Sequence, residues 1–185
     1  MTFNCYYVDK CEQKDISQKF INAVFRYSDA FSLIYFQYEK GEKMKKSTRN
    51  IKNALNPYKL ESRTVLEWPG TITMDNRHIY RMITYRADKN VLPILLSVDT
   101  IWDWNYSRYP MDPAFYKNGY AWFYVTSHEH INQLYLREDN SFPSVDELES
   151  LGVKLIPDKS IDESCIFYNK HYLRFLPFST RFGRI

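Results

Sequence analysis

The sequence predicts an α+β fold: a single, mainly antiparallel sheet with helices packed on it. Three observations carry this expectation. Two segments place apolar residues at helical spacing, a longer series rich in aromatic and β-branched residues is punctuated by turn residues, and no composition break divides residues 1–185. A chain of 185 residues can fill one core and is short for two, so one domain is expected.

The first helix is expected to open at Asp15, with its carboxylate capping the amides and Gln18 reaching back. Ile16, Phe20, Val24 and Tyr27 then share one side. "FSLIYFQY" (Phe31 to Tyr38) is apolar on both alternating faces and reads as a buried strand. "KMKKSTRNIKNAL" reads as a second helix: Met44, Ile51 and Leu55 line one side, Lys45, Arg49 and Lys52 another, and Pro57 closes it. Strands are expected in "LESRTVLEW", ended by Pro69-Gly70, then in "HIYRMITYR" and "VLPILLSV", with a turn at Asp75-Asn76.

"TIWDWNYSRYPMDPAFYKNGYAWFYV" (Thr100 to Val125) concentrates aromatic rings. If Ile101 to Tyr109 is extended, Trp102, Trp104 and Tyr106 form one wall, which fits the interior of a sheet. Pro110 and Pro113 break the segment, and "YAWFYVT" follows a turn at Lys117-Asn118-Gly119 as a strand. Ser127 reads as a cap before a helix in "HEHINQLYL". "SVDELESLG" carries a capping box in Ser144 and Glu147 and a stop at Gly152. "SCIFYNKHYLRFL" reads as a hairpin turning at Asn169-Lys170.

Several chemistries are disfavoured. The chain has only 5 Gly and neither a Walker-type nor a dinucleotide fingerprint, so no cofactor is expected. His128 and His130 would diverge on a helix and could not share an ion, so no metal site is expected. In the expected hairpin Cys165 faces Arg174 while His171 faces Tyr168, which separates thiol from imidazole and leaves no catalytic residue to name. Three sparse cysteines suit a reducing compartment, and without a secretory signal or a membrane-length apolar run the protein is expected to be cytoplasmic and off the membrane.

What remains is a surface. The net charge is only +3, but Glu39 to Arg63 holds eight cations against three acids, and Glu138 to Glu163 holds eight acids against two lysines. Tyr106, Arg108, Tyr109 and Tyr116 lie in a segment rich in the residue types that dominate protein interfaces. Asp146, Glu147 and Glu149 would suit a cationic partner. The expectation is a small binding protein rather than an enzyme. An immunity or antitoxin-type inhibitor of a cationic toxin or nuclease would have this character. The alternative is a nucleic-acid-binding or nucleic-acid-processing protein that uses Lys45, Lys46, Arg49 and Lys52 with nearby aromatic residues or histidines.

Overall fold

A computed structural model describes residues 3–37, 43–74, 78–106, 108–139, 141–160 and 165–176. The architecture is α+β, built on one eight-stranded antiparallel sheet in the order β10-β1-β9-β8-β7-β2-β6-β3. Those strands are β1 (Asn4–Asp9), β2 (Ala30–Gln37), β3 (Lys59–Val65), β6 (Ile79–Arg86), β7 (Met111–Lys117), β8 (Tyr120–Thr126), β9 (Ile131–Leu136) and β10 (Lys154–Pro157). A two-stranded hairpin, β4 (Glu67–Trp68) with β5 (Thr71–Ile72), stands beside it.

The helices are α1 (Lys14–Tyr27), α2 (Lys46–Leu55), α3 (Leu92–Leu95) and α4 (Val145–Glu149). In α1, Phe20, Ile21, Val24 and Phe25 are buried against Phe31, Leu33, Phe115, Phe123 and Leu134 of the sheet. These are apolar residues at helical spacing meeting apolar residues at strand spacing. Phe20 meets Phe123 edge-on at 5.1 Å. α1 begins at Lys14 with Gln13 before it, so Asp15 lies inside the first turn, where it favours the positive end of the helix dipole. Gln18 does not reach back; its amide donates to the carbonyls of Leu96 and Val98.

Several expectations are corrected. "VLPILLSV" is not a strand: Pro93 sits at the start of the short helix α3, where its fixed φ is tolerated and a strand's ladder bond would be lost. "HEHINQLYL" is a turn followed by β9, with His130 at φ 54°. "SCIFYNKHYLRFL" is not a hairpin. Tyr168 makes one bridge to Tyr120, and the chain then winds into a 3₁₀ turn at Tyr172–Phe175. Ile101–Asp103 is also a 3₁₀ turn, closed by a capping box between Thr100 and Asp103, yet Trp102 and Trp104 are buried as core residues. The Asp75-Asn76 turn lies outside the described residues. The expected Lys117-Asn118-Gly119 turn is present, with φ of 52° at Asn118 and 91° at Gly119, the paired positive values of a tight hairpin.

Both faces of the sheet are covered. Opposite the helices, the C-terminal segment lays Ile166, Tyr172 and Leu176 over Cys5, Ala114, Tyr116 and Tyr135. The β4–β5 hairpin lays Trp68 over Ile34, Met82 and Met111. At the hairpin's turn, Gly70 has φ 81° and lies so close to β8 that a Cβ would sit 2.5 Å from the Tyr124 ring. A polar clasp secures the C-terminal segment: the Tyr172 hydroxyl donates to Asp29 Oδ1 at 2.9 Å and accepts from Gly119 N at 2.8 Å, while Asn118 N donates to Asp29 Oδ2 at 2.8 Å. Tyr172→Phe therefore strands a buried carboxylate oxygen and a buried amide. It is expected to lower stability by about 1–3 kcal/mol, seen as a lower urea midpoint with an unchanged slope.

Candidate functional site: an aromatic groove at one end of the sheet

The hairpin covers the far face only in part. Beyond Trp68 a groove of about 960 Å³ opens where β2 ends and β6 begins. Its walls are rings. Phe36 lies 4.8 Å from Tyr106, 5.1 Å from His78 and 5.6 Å from Tyr80, and Tyr80 lies 4.9 Å from Trp68. The strand pairing Phe36↔Tyr80 produces this arrangement, since directly opposed residues share a face of the sheet. Thr71, Ile72, Thr73 and Met74 form the hairpin side, and Asn105, His128 and Glu129 complete the rim.

The floor holds Asp112, which lies in the left-handed region at φ 49°. Ser32 pairs with Ala114 and Ile34 with Met111, so β7 spends two residues, Asp112 and Pro113, where β2 spends one. Such a bulge re-aims a side chain and also accommodates a proline within a sheet. Pro113 thus bends β7 rather than breaking the segment. The Asp112 carboxylate accepts from Trp68 Nε1 at 3.0 Å and from Ser127 N at 2.9 Å. It therefore ties the hairpin to the β8–β9 turn. Burial pushes its pKa up from the ordinary carboxylate value, opposed by these two donors and by the nearby His128.

The hairpin side of the rim carries exposed apolar side chains. Met74 is 93% exposed and Ile72 73%, with Tyr106 also exposed across the groove from them. Exposed apolar residues scattered singly are ordinary, whereas a contiguous group around a concave surface marks a contact site.

The residues expected to meet a partner separate. Tyr106 forms a wall of the groove. Arg108 is exposed, and its guanidinium lies 5.5 Å from the Tyr109 ring, which itself packs against Trp104. Tyr116 is fully buried and its hydroxyl is bonded to Ser32, so it faces no partner; it belongs to β7 rather than to a loop. Asp146, Glu147 and Glu149 are exposed on α4, near Tyr27 and β10, on the helix-covered face of the sheet rather than the face that holds the groove. Two of them have internal work: Glu147 accepts from the Tyr27 hydroxyl and Glu149 from Leu155 N. Lys45, Lys46 and Arg49 are exposed at the start of α2, whereas Lys52 is half-buried with its ammonium 5.6 Å from the centre of the Tyr35 ring.

The pair His128 and His130 does not converge, although His78 lines the groove together with His128. His128 lines the groove, and His130 stacks on Trp102 at 5.0 Å. Among the described residues no three His, Cys, Asp or Glu side chains are grouped to hold a metal. Burial pushes the Cys5 thiol up to about 11 and the Cys11 thiol up to about 12, which makes both poor nucleophiles at neutral pH. Among the described residues no helix is long and apolar enough to cross a membrane.

The chain matches no family model, and no curated protein or solved structure is significantly similar to it. The site therefore rests on its geometry. Sequence reasoning passed over Trp68, Asp112, Ile72 and Met74. The available signal was "MDPAF", an acid and a proline inside a strand-like apolar run, which is the pattern of a bulge.

The Asp112 carboxyl is expected to titrate above the ordinary carboxylate range when followed by NMR, and higher still in Trp68→Phe, which removes the indole donor. A folded pKa above the unfolded value means that this group favours folding most strongly at low pH. That contribution is lost as pH rises through the folded pKa. Asp112→Asn should flatten this part of the stability–pH curve.

Proposed function

We propose that this protein is a binding protein whose groove and apolar rim hold a protein partner, in the manner of an immunity or antitoxin-type inhibitor that occludes an enzyme. The observation that carries the reading is the grouping of exposed Ile72, Met74 and Tyr106 around one ring-walled groove. A small ligand would be held by the concave walls. It would touch Ile72 and Met74 from the groove side and leave most of their exposed area open to solvent. A protein surface covers both, and Tyr, Met and aromatic side chains are the types enriched in interface centres. The polar groups present, Asn105, His128 and Glu129, suit hydrogen bonds at the rim of such a contact. The acids of α4, on the opposite face of the sheet, would then act on association at a distance, by steering a cationic partner rather than by touching it.

The test uses three immobilised proteins: the wild type, Ile72→Asp/Met74→Asp, and Asp146→Lys/Glu147→Lys/Glu149→Lys. A host protein retained by the wild type and by the α4 variant, but weakened at least tenfold by the groove variant, supports the proposal. A protein lost only with the α4 variant overturns the groove as the contact. Sedimentation tests the remaining occupant: concentration-dependent dimerisation abolished by Ile72→Asp/Met74→Asp would make the partner a second copy of this chain.

A further inference from the structure

On the other face of the sheet, between α2 and the outer strands β3 and β6, lies a small pocket of about 160 Å³ lined by Lys52, Asn56, Lys59, Ser62, Arg81 and Tyr85. We propose that this pocket binds a phosphate group. It is independent of the groove and of the reading given to it.

Three cationic side chains from three separate elements converge here: Lys52 from α2, Lys59 from the start of β3 and Arg81 from β6. The pairing of β3 with β6 sets Lys59 opposite Tyr85 and Ser62 opposite Ile83, which brings the edge strand's polar groups to the side that α2 covers. A lysine serving solubility alone keeps its ammonium in water. Lys52 instead crosses the ring of Tyr35, whose hydroxyl is held by Tyr85 at 2.8 Å, and it sits within the fields of Arg81 and Lys59. Burial, then the charge of Arg81, then that of Lys59 all press its pKa down. An arrangement that destabilises its own lysine is what an anion would relieve.

Size and donor chemistry narrow the anion. The pocket is well below the roughly 300 Å³ at which pockets begin to enclose a drug-sized molecule, so it admits one group rather than a whole ligand. A guanidinium, two ammonium groups, the Asn56 amide and the Ser62 hydroxyl provide donors from several directions, which suits a tetrahedral oxyanion with several acceptor oxygens. The phosphate could belong to a small phosphomonoester or to a nucleic-acid backbone, since Lys45, Lys46 and Arg49 extend the positive surface along α2.

Inorganic phosphate, titrated at constant ionic strength against sodium chloride, is expected to raise the thermal midpoint and to give a saturable calorimetric signal. Lys52→Met/Lys59→Gln should weaken that binding at least tenfold, whereas Lys45→Gln/Arg49→Gln should leave it within about twofold. The first variant removes like charges and is expected to keep the wild-type midpoint without phosphate, so lost binding cannot be ascribed to unfolding. A phosphate effect no larger than that of chloride, or one equal in wild type and Lys52→Met/Lys59→Gln, overturns the proposal. Two further arms identify the source. Competition by a single-stranded oligonucleotide without a terminal phosphate assigns the group to a backbone; competition by glycerol phosphate alone assigns it to a small phosphomonoester.

Discussion

The structure is governed by one constraint: an eight-stranded sheet that is apolar on both faces must be covered on both. In β2, Phe31, Leu33 and Tyr35 face the helices while Ala30 and Ile34 face away, and all are buried. Helices α1 and α2 can serve only one side. The other is left to less regular material, a hairpin and a C-terminal segment held by the Tyr172–Asp29 clasp and by the Asn169 amide bonded to Glu61. Burial of apolar area at about 25 cal/mol per Å² drives this covering, yet irregular chain must also satisfy its own backbone groups. Among the described residues, cover of the second face ends where the hairpin ends, and the groove opens there.

This constraint also accounts for Asp112. A short hairpin has too little apolar area to hold itself in place, so a buried hydrogen bond does it. The carboxylate accepts one bond from the hairpin's Trp68 and one from the β8–β9 turn at Ser127. Burying a carboxylate is costly and breaking its bonds costs more, which makes it a specific anchor rather than a strong one. The bulge at Asp112–Pro113 is what turns the side chain toward its donors.

Those parts of the fold whose signal lies within one element were legible in the sequence: the apolar side of α1, the buried alternation of β2, the side of α2 bearing Ile51 and Leu55, and the Asn118-Gly119 turn. The failures share a cause. "VLPILL" and "HEHINQ" are short, and at that length propensity is overruled by where the sheet needs a strand or a helix. Likewise, Tyr116 and Tyr106 look alike in sequence, yet one is sealed beneath Tyr172 and the other walls the groove. Which face the C-terminal segment covers is a long-range fact, and no local pattern records it. The groove was illegible for the same reason, because it joins β2, the hairpin, β6 and the loop before β7.

The two surfaces are linked by the pleat of a single strand pair. Tyr35 pairs with Arg81, and Phe36 with Tyr80. The first pair faces α2 and helps to build the cationic pocket, while the second, one residue on, faces away and builds the groove. A side chain can cross from one surface to the other only if the register slips by a residue, which would carry the buried Leu33 and Ile83 out of the core. The two surfaces therefore share a floor, while the walls on either side come from unrelated segments, α2 and β3 in one case, the hairpin and the Asn105–Tyr106 loop in the other. The two proposed contacts thus share a strand pair but no wall.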